Sequence, residues 1–294
     1  MMLVAVVSVK GSPGVTTFSV ALATRWPGPG RPLLVESDPS GGDLAVRFSL
    51  AASPGLVSFL AAARQSSDPG LLWQHAQSLA DGLPVVTAPP DADRARAVLS
   101  ALFEPITGGG MVRAAANARN TAVIVDCGRI EAGSAALPAV QSADALIVLT
   151  GARADDLAHL ARRLPTLGRW TPCPVLMLVG DGYSREEVGR ELGVTPLGRI
   201  PHDPRGAAMF CGRTWWRRAG RSALGEVARK VATTLLAQNV PFPLQGPAES
   251  QPMPPGRTVP DVPTGPASAR GLRVVPLSQF EPGGPSSWSG GNAL

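Results

Sequence analysis

Apolar runs of strand length alternate with amphipathic stretches along most of this chain, and that alternation leaves few folds open. The runs fill residues 2–7, 31–36, 83–87, 121–125, 143–150 and 174–180, and most are apolar at nearly every position rather than at every second one. A strand with two apolar faces has to be covered on both, the condition met by a parallel sheet between layers of helix. Helical segments at 91–103, 154–164 and 184–192 lie between runs and are long enough to cross back over a sheet. The expected fold class is therefore α/β, a doubly wound, mostly parallel sheet. Right-handed crossovers then bring every strand-to-helix loop to one edge.

The loop at the end of the first run carries the strongest chemical signal. It reads Val7-Ser8-Val9-Lys10-Gly11-Ser12-Pro13-Gly14-Val15-Thr16-Thr17 and leads into an apolar helical start at 18–23. Strand, glycine-containing loop, Thr-Thr and helix form the context of a phosphate-binding loop. A helix N-terminus offers unpaired N–H groups and a positive dipole end, and glycines let the backbone approach an anion. Thr16 is placed to turn its hydroxyl toward Mg²⁺. Against the pattern G-x-x-x-x-G-K-[ST], however, Val9 stands at the first glycine and Val15 at the lysine. Lys10 occurs four residues before Gly14, and Lys230 is the only other lysine; every remaining basic side chain is arginine. A compact ammonium does what a planar guanidinium does not. An ordinary Gly-Pro turn is the structural alternative for this loop.

Two further strand ends carry carboxylates. The second run ends in Glu36-Ser37-Asp38-Pro39-Ser40-Gly41-Gly42-Asp43, and the run at 121–125 in Asp126-Cys127-Gly128. In doubly wound sheets ligands bind outside the carboxyl ends of the strands, where these groups fall. Asp-Pro-Ser-Gly is also a good turn in its own right.

Together these segments resemble the ParA/MinD family of P-loop ATPases over roughly residues 2–238. The family's deviant phosphate loop, K-G-G-x-G-K-[ST]-[ST], is matched by Lys10, Gly11, Gly14, Thr16 and Thr17, with Ser12 replacing a glycine and Val15 the second lysine. Asp38 falls in a segment similar to the D-x-D-P-x-G switch, Glu36 standing for its first aspartate. Residues 121–126 resemble a Walker B strand, and 197–205, with Pro201 and Asp203, resemble the G-x-I-P-x-D-P turn bordering the base. The resemblance implies that Gly11, Ser12, Gly14, Val15, Thr16 and Thr17 surround the phosphates of ATP, with Pro201 and Asp203 beside its base. It implies Mg²⁺ held through Thr16 and Asp126, an attacking water oriented by Asp38, and Lys10 reaching the nucleotide of a second copy in a homodimer. The family's base-reading asparagine is replaced by Gly180-Asp181. Charge stabilisation is the main resource in phosphoryl transfer, so the missing lysine at Val15 implies weak or absent hydrolysis. The implied role is spatial regulation in chromosome partitioning, septum placement or pilus assembly. A TadZ/CpaE-like adaptor that keeps the fold and has lost nucleotide is the alternative.

Composition adds bounds. At 294 residues and 44% hydrophobic, the chain holds one large domain, read as 1–239, plus a Pro/Gly-rich tail, read as disordered, at 240–294. Residues 272–280 are the apolar island of that tail and a candidate docking peptide for a protein partner. The net charge of +5 equals the basic excess of residues 212–230 alone. There Arg213, Trp215, Trp216, Arg217 and Arg218 suit DNA phosphates, an anionic membrane surface or a partner, and equally a solvated helix face. A DNA-binding module resting on this segment is a third reading. The three cysteines, Cys127, Cys173 and Cys211, are scattered without metal-ligand spacing, which points to a reducing compartment. No apolar run approaches the roughly 20 residues of a membrane span, and the first run reads as a strand rather than a signal peptide. The expected place is the cytoplasm, with peripheral attachment to membrane or nucleoid.

Overall fold

The computed structural model describes residues 1–11, 13–28, 30–79, 81–103, 109–170, 174–212 and 222–238. Ser12, the Arg213, Trp215, Trp216, Arg217 and Arg218 cluster, and the 240–294 tail lie outside the described residues. The strands are β1 (Met2–Ser8), β2 (Arg31–Glu36), β3 (Gln77–Ser78), β4 (Pro84–Val86), β5 (Thr121–Arg129), β6 (Ala145–Gly151), β7 (Pro174–Val179) and β8 (Gly198–Ile200). They form one sheet in the order β3-β4-β2-β5-β1-β6-β7-β8. Every pairing is parallel except that of β3, which runs antiparallel to β4 at one edge.

The strands sort their side chains by a period of two. On β1, Leu3, Ala5 and Val7 enter one core while Met2, Val4 and Val6 enter the other. Helices α1 (Val15–Thr24), α10 (Pro204–Phe210) and α11 (Ala223–Gln238), with Leu44 of the short α2 (Leu44–Arg47), cover the Val4 face. The Leu3 face is covered by α3 (Leu56–Ala63), α4 (Leu71–Gln74), α5 (Ala92–Leu102), α6 (Gly109–Ala116), α7 (Leu137–Ser142), α8 (Ala154–Trp170) and α9 (Arg185–Leu192). Both faces are thus apolar because both are buried, as the continuous runs require.

Three segments depart from the periodicity of the sequence. Residues 69–79, amphipathic in sequence, divide into α4 and the edge strand β3, where the Gln77 amide bonds the backbone of Ala51 and Pro54 and fixes an extended chain. Helix α8 continues past Leu164 through Pro165, because buried Leu167 and Trp170 hold the following turns. A proline inside a helix removes one backbone bond, and burial of that size offsets it. Beyond the turn at 201–203, the chain enters α10 with Pro204 in its first turn and Asp203 as its cap.

Glu36 closes the functional edge of the sheet. Its side chain is buried, and its Oε1 accepts N–H bonds from Asp43 at 2.6 Å and Leu44 at 2.9 Å. Its Oε2 accepts from Ala88 at 2.9 Å, so one carboxyl ties the loop after β2 to the segment after β4. Gly42 passes so close that any Cβ there would overlap Glu36 Oε2 and the Ala88 carbonyl. Burial pushes the Glu36 carboxyl up to about 7, with the Leu44 N–H working against it and the Asp126 charge adding to it. Between its ordinary value of 4.5 and about 7 the folded chain holds a proton that the unfolded chain releases. This group's contribution to stability is therefore full below that window and falls as pH rises through it. Denaturant midpoints measured from pH 5 to pH 8 are expected to drop less steeply for Glu36→Gln than for the parent chain; parallel curves would contradict this account.

Candidate functional site

The β1–α1 loop places its glycines where only glycine is comfortable. Gly11 has φ +66° and Gly14 φ +91°, and no atom lies within 4 Å of where a Cβ would stand on either. Gly14 is the cap residue of α1, no side chain caps that end, and the first turn holds no acidic residue. Backbone N–H groups and the positive dipole end of a ten-residue helix therefore face open space. That space is a cavity of about 800 Å³. Its floor is Gly11 and the turn Gly14, Val15, Thr16 and Thr17; Asp38, Asp43 and Arg47 form one wall, and Gly128 with Arg129 another. The α10 residues Pro204, Ala207 and Ala208, with Cys211 beyond them, close it above.

A second cavity of about 190 Å³ opens from the first, sharing Gly14, Thr17, Pro204 and Ala207 with it. Phe18, Val179, Ile200, Pro201 and Leu224 give it apolar walls suited to a flat ring. Pro201 and Asp203 both line this second cavity. The Asp203 carboxylate is already engaged, accepting the Gly206 N–H at 2.8 Å and the Leu224 N–H at 3.1 Å, so it holds α10 against α11. Both guanidinium ends of Arg199 bond the carbonyls of Gly180 and Tyr183 along the same rim.

Asp126 lies on the α1 face of the sheet, since Ala122 and Ile124 face that core and Val123, Val125 and Cys127 the other. It registers beside Glu36 of β2 and Val6 of β1. The residue is fully buried; Oδ1 accepts the Gly128 N–H at 3.1 Å, while Oδ2 is left without a hydrogen-bond partner. Burial raises its carboxyl to about 6, the Thr16 hydroxyl opposes that rise, and the Asp38 charge assists it. A buried carboxylate oxygen without a donor, next to a hydroxyl at a helix N-terminus, is a hard-oxygen donor set that fits Mg²⁺. Among the described residues no group of three or more His, Cys, Asp or Glu side chains is arranged around a metal. A cation held by Thr16 and Asp126 would draw the rest of its shell from water and phosphate.

Asp38 meets the β5 tip directly. Its Oδ1 accepts the Ser40 N–H at 2.8 Å, and its carboxylate fills the place a Cβ on Gly128 would take, where φ is +58°. Lys10, by contrast, is not in the cavity wall. Its ammonium points to Asp155 in the first turn of α8 at 3.4 Å, an exposed pair that restrains it only weakly. Val15 borders the cavity at the start of α1 and is buried in the apolar core of the α1 face. The structure thus gathers Gly11, Gly14, Val15, Thr16, Thr17, Asp38 and Asp126 at one edge and leaves Lys10 outside them; Ser12 falls outside the described residues.

Sequence reasoning missed Arg47 and Cys211. Arg47 is bonded to the Asp43 carboxylate, and its Nη1 donates to Cys211 Sγ at 3.7 Å; that sulfur lies 3.2 Å from Thr17 Oγ1. The i,i+4 spacing of Asp43 and Arg47 marks a helical turn and was legible. The partnership with Cys211, far away in the chain, was not. Replacing Gly128 by Ala combines a left-handed backbone with a displaced Asp38, and a loss of about 1–3 kcal/mol in denaturant unfolding is expected. A neutral result would show that Asp38 swings away freely.

Compared by sequence, the chain matches no family model and no curated protein. Compared by structure, it resembles a ParA family ATPase from Chlorobium tepidum TLS with a TM-score of 0.64 at 17% identity, covering 79% of this chain and 99% of that one. The septum site-determining protein MinD from Pyrococcus horikoshii OT3, solved with Mg-ADP, aligns with a TM-score of 0.56 at 17% identity over 79% of this chain and 97% of its own. Cobyrinic acid a,c-diamide synthase from Mycobacterium smegmatis, solved with an ATP analogue and magnesium, aligns with a TM-score of 0.53 at 20% identity over 81% and 95%. The chain thus shares the fold of these ATPases and of the synthase.

Proposed function

We propose that this chain is a nucleotide switch of the ParA/MinD kind, binding ATP with Mg²⁺ and acting as a homodimeric spatial regulator with weak or absent hydrolysis. The observation that carries the reading is Asp126 Oδ2, buried without a partner beside Thr16 at an uncapped helix N-terminus. Natural chains rarely leave such an oxygen unmatched unless a ligand, ion or water completes it. Mg²⁺ would supply charge neutralisation of the phosphates when bound. The chain's own part is to present α1 N–H groups to phosphate oxygens, to hold the cation's water shell through Thr16 and Asp126, and to keep Asp38 at the mouth to orient a water. The apolar slot between Phe18 and Pro201 accepts the base. Asp203 is already engaged, so among the described residues of the slot His202 is the polar side chain left to read the base.

Val15 supports the low-hydrolysis reading, because a charge at that position would stabilise the transferred group. Lys10 has only a surface ion pair to break, which suits a side chain that reaches a second copy. Val15 and Gly180-Asp181 also favour the alternative, a TadZ/CpaE-like adaptor in which the fold persists without nucleotide, whereas Lys10, Thr16, Asp38 and Asp126 oppose it. Chromosome partitioning, septum placement and pilus assembly are the processes this type of protein serves. The basic cluster from Arg213 to Arg218 would then engage DNA or an anionic membrane and the tail a protein partner.

Equilibrium titration with MgATP and MgADP separates the readings. Saturable binding is expected, weakened at least about tenfold (about 1.4 kcal/mol) by Asp126→Ala and by Thr16→Ala. Absence of binding in the parent chain would favour the adaptor. Phosphate release is expected to be slow and to gain speed in Val15→Lys; a fast parent enzyme silenced by Asp38→Ala would overturn the low-hydrolysis reading.

A further inference from the structure

We propose that Arg47, on the short helix after the Asp38 loop, supplies the phosphate-facing positive charge that the floor of the cavity lacks at Val15. The inference rests on the nucleotide reading above and names the residue that makes it electrostatically workable.

The need is visible in the wall. Asp38 and Asp43 line the cavity and Asp126 is buried two residues before its Gly128 wall, whereas Arg47 and Arg129 are the cations in the lining among the described residues. Lys10 faces away toward Asp155. Helix N–H groups alone are a modest counterweight to a polyphosphate beside three carboxylates. Arg129 sits at the rim, more than half exposed, with its charge answered by Glu131 at 3.0 Å. Arg47 is about one-third exposed and lines the cavity between Asp43 and Cys211.

Its geometry is also prepared. The guanidinium is fastened on one side to Asp43 and on the other to Cys211 Sγ, and Cys211 in turn meets Thr17 in the first turn of α1. These contacts link the Asp38 loop, the end of α10 and the phosphate loop around the cavity. They engage one N–H on each terminal nitrogen, and a guanidinium carries five donors in a planar fork that matches phosphate oxygens. The thiol is a weak acceptor, so exchanging it for an anionic oxygen strengthens the contact. A lysine lost from the loop is thereby replaced by an arginine approaching from the opposite wall.

The test is titration of the full chain with adenosine, AMP, ADP and ATP in the presence of Mg²⁺, alongside thermal unfolding without nucleotide. For Arg47→Gln, which removes the charge and leaves one amide donor group on a shorter side chain, ADP and ATP affinity is expected to fall at least about tenfold, the scale of a charge-assisted hydrogen bond. Adenosine affinity and the unfolding temperature of the free protein are expected to hold. Adding Val15→Lys to Arg47→Gln is expected to restore much of the ADP and ATP affinity, which a merely structural Arg47 would not allow. Parent binding of ATP undiminished in Arg47→Gln would overturn the role of Arg47 and leave the nucleotide reading standing. Loss of all ligands together with a lowered unfolding temperature, unrescued by Val15→Lys, would assign Arg47 to structure alone. No ATP binding by the parent chain would overturn both.

Discussion

A carboxylate buried at the end of the central strand sets the terms for everything around it. Asp126 sits on β5 between β1 and β2, with no exposure to water, and burial outweighs its one backbone hydrogen bond and the Thr16 hydroxyl. A group in that position is costly unless something of opposite charge comes to it. The neighbouring elements are arranged accordingly: the uncapped end of α1 on one side, the Asp38 loop on the other, and an opening between them large enough for an anion with its cation.

The Asp38 loop is held by a second buried carboxyl with a different task. Glu36 spends both oxygens on backbone N–H groups of its own loop and of the segment after β4, so it fixes the path of the chain rather than meeting a ligand. Two adjacent strand-end acids thus divide their roles by partner supply. Where three N–H groups converge the acid is structural; where an oxygen is left unmatched it is available. The division places Asp38 against Gly128 and turns Arg47 inward, so fold and electrostatics at this edge are one arrangement.

The likeness to ParA and MinD proteins spans most of each chain while fewer than one residue in five is shared. A synthase aligns almost as well, which illustrates that this architecture carries several chemistries. What sets this chain apart is its cavity, with Val15 at the start of α1 and the Arg47 guanidinium in one wall.

The doubly wound sheet was legible in the sequence because a strand buried on both faces has to be apolar throughout, and that property is local. Gly14, Thr16, Asp38 and Asp126 were legible for the same reason, each standing beside a strand end or helix start that declares itself. The conversion of 69–79 into a short helix and an edge strand was hidden, since it depends on Gln77 meeting Ala51 and Pro54 and on β4 offering a free edge. Lys10 showed its charge but not its direction, which Asp155 on a distant helix determines. Residue type and local spacing settled what the chain must bury and where its polar strand ends fall. Only the tertiary structure decided that Glu36 would be satisfied and Asp126 left open, and that Arg47, Cys211 and Thr17 would meet, because those outcomes rest on contacts between segments far apart in the chain.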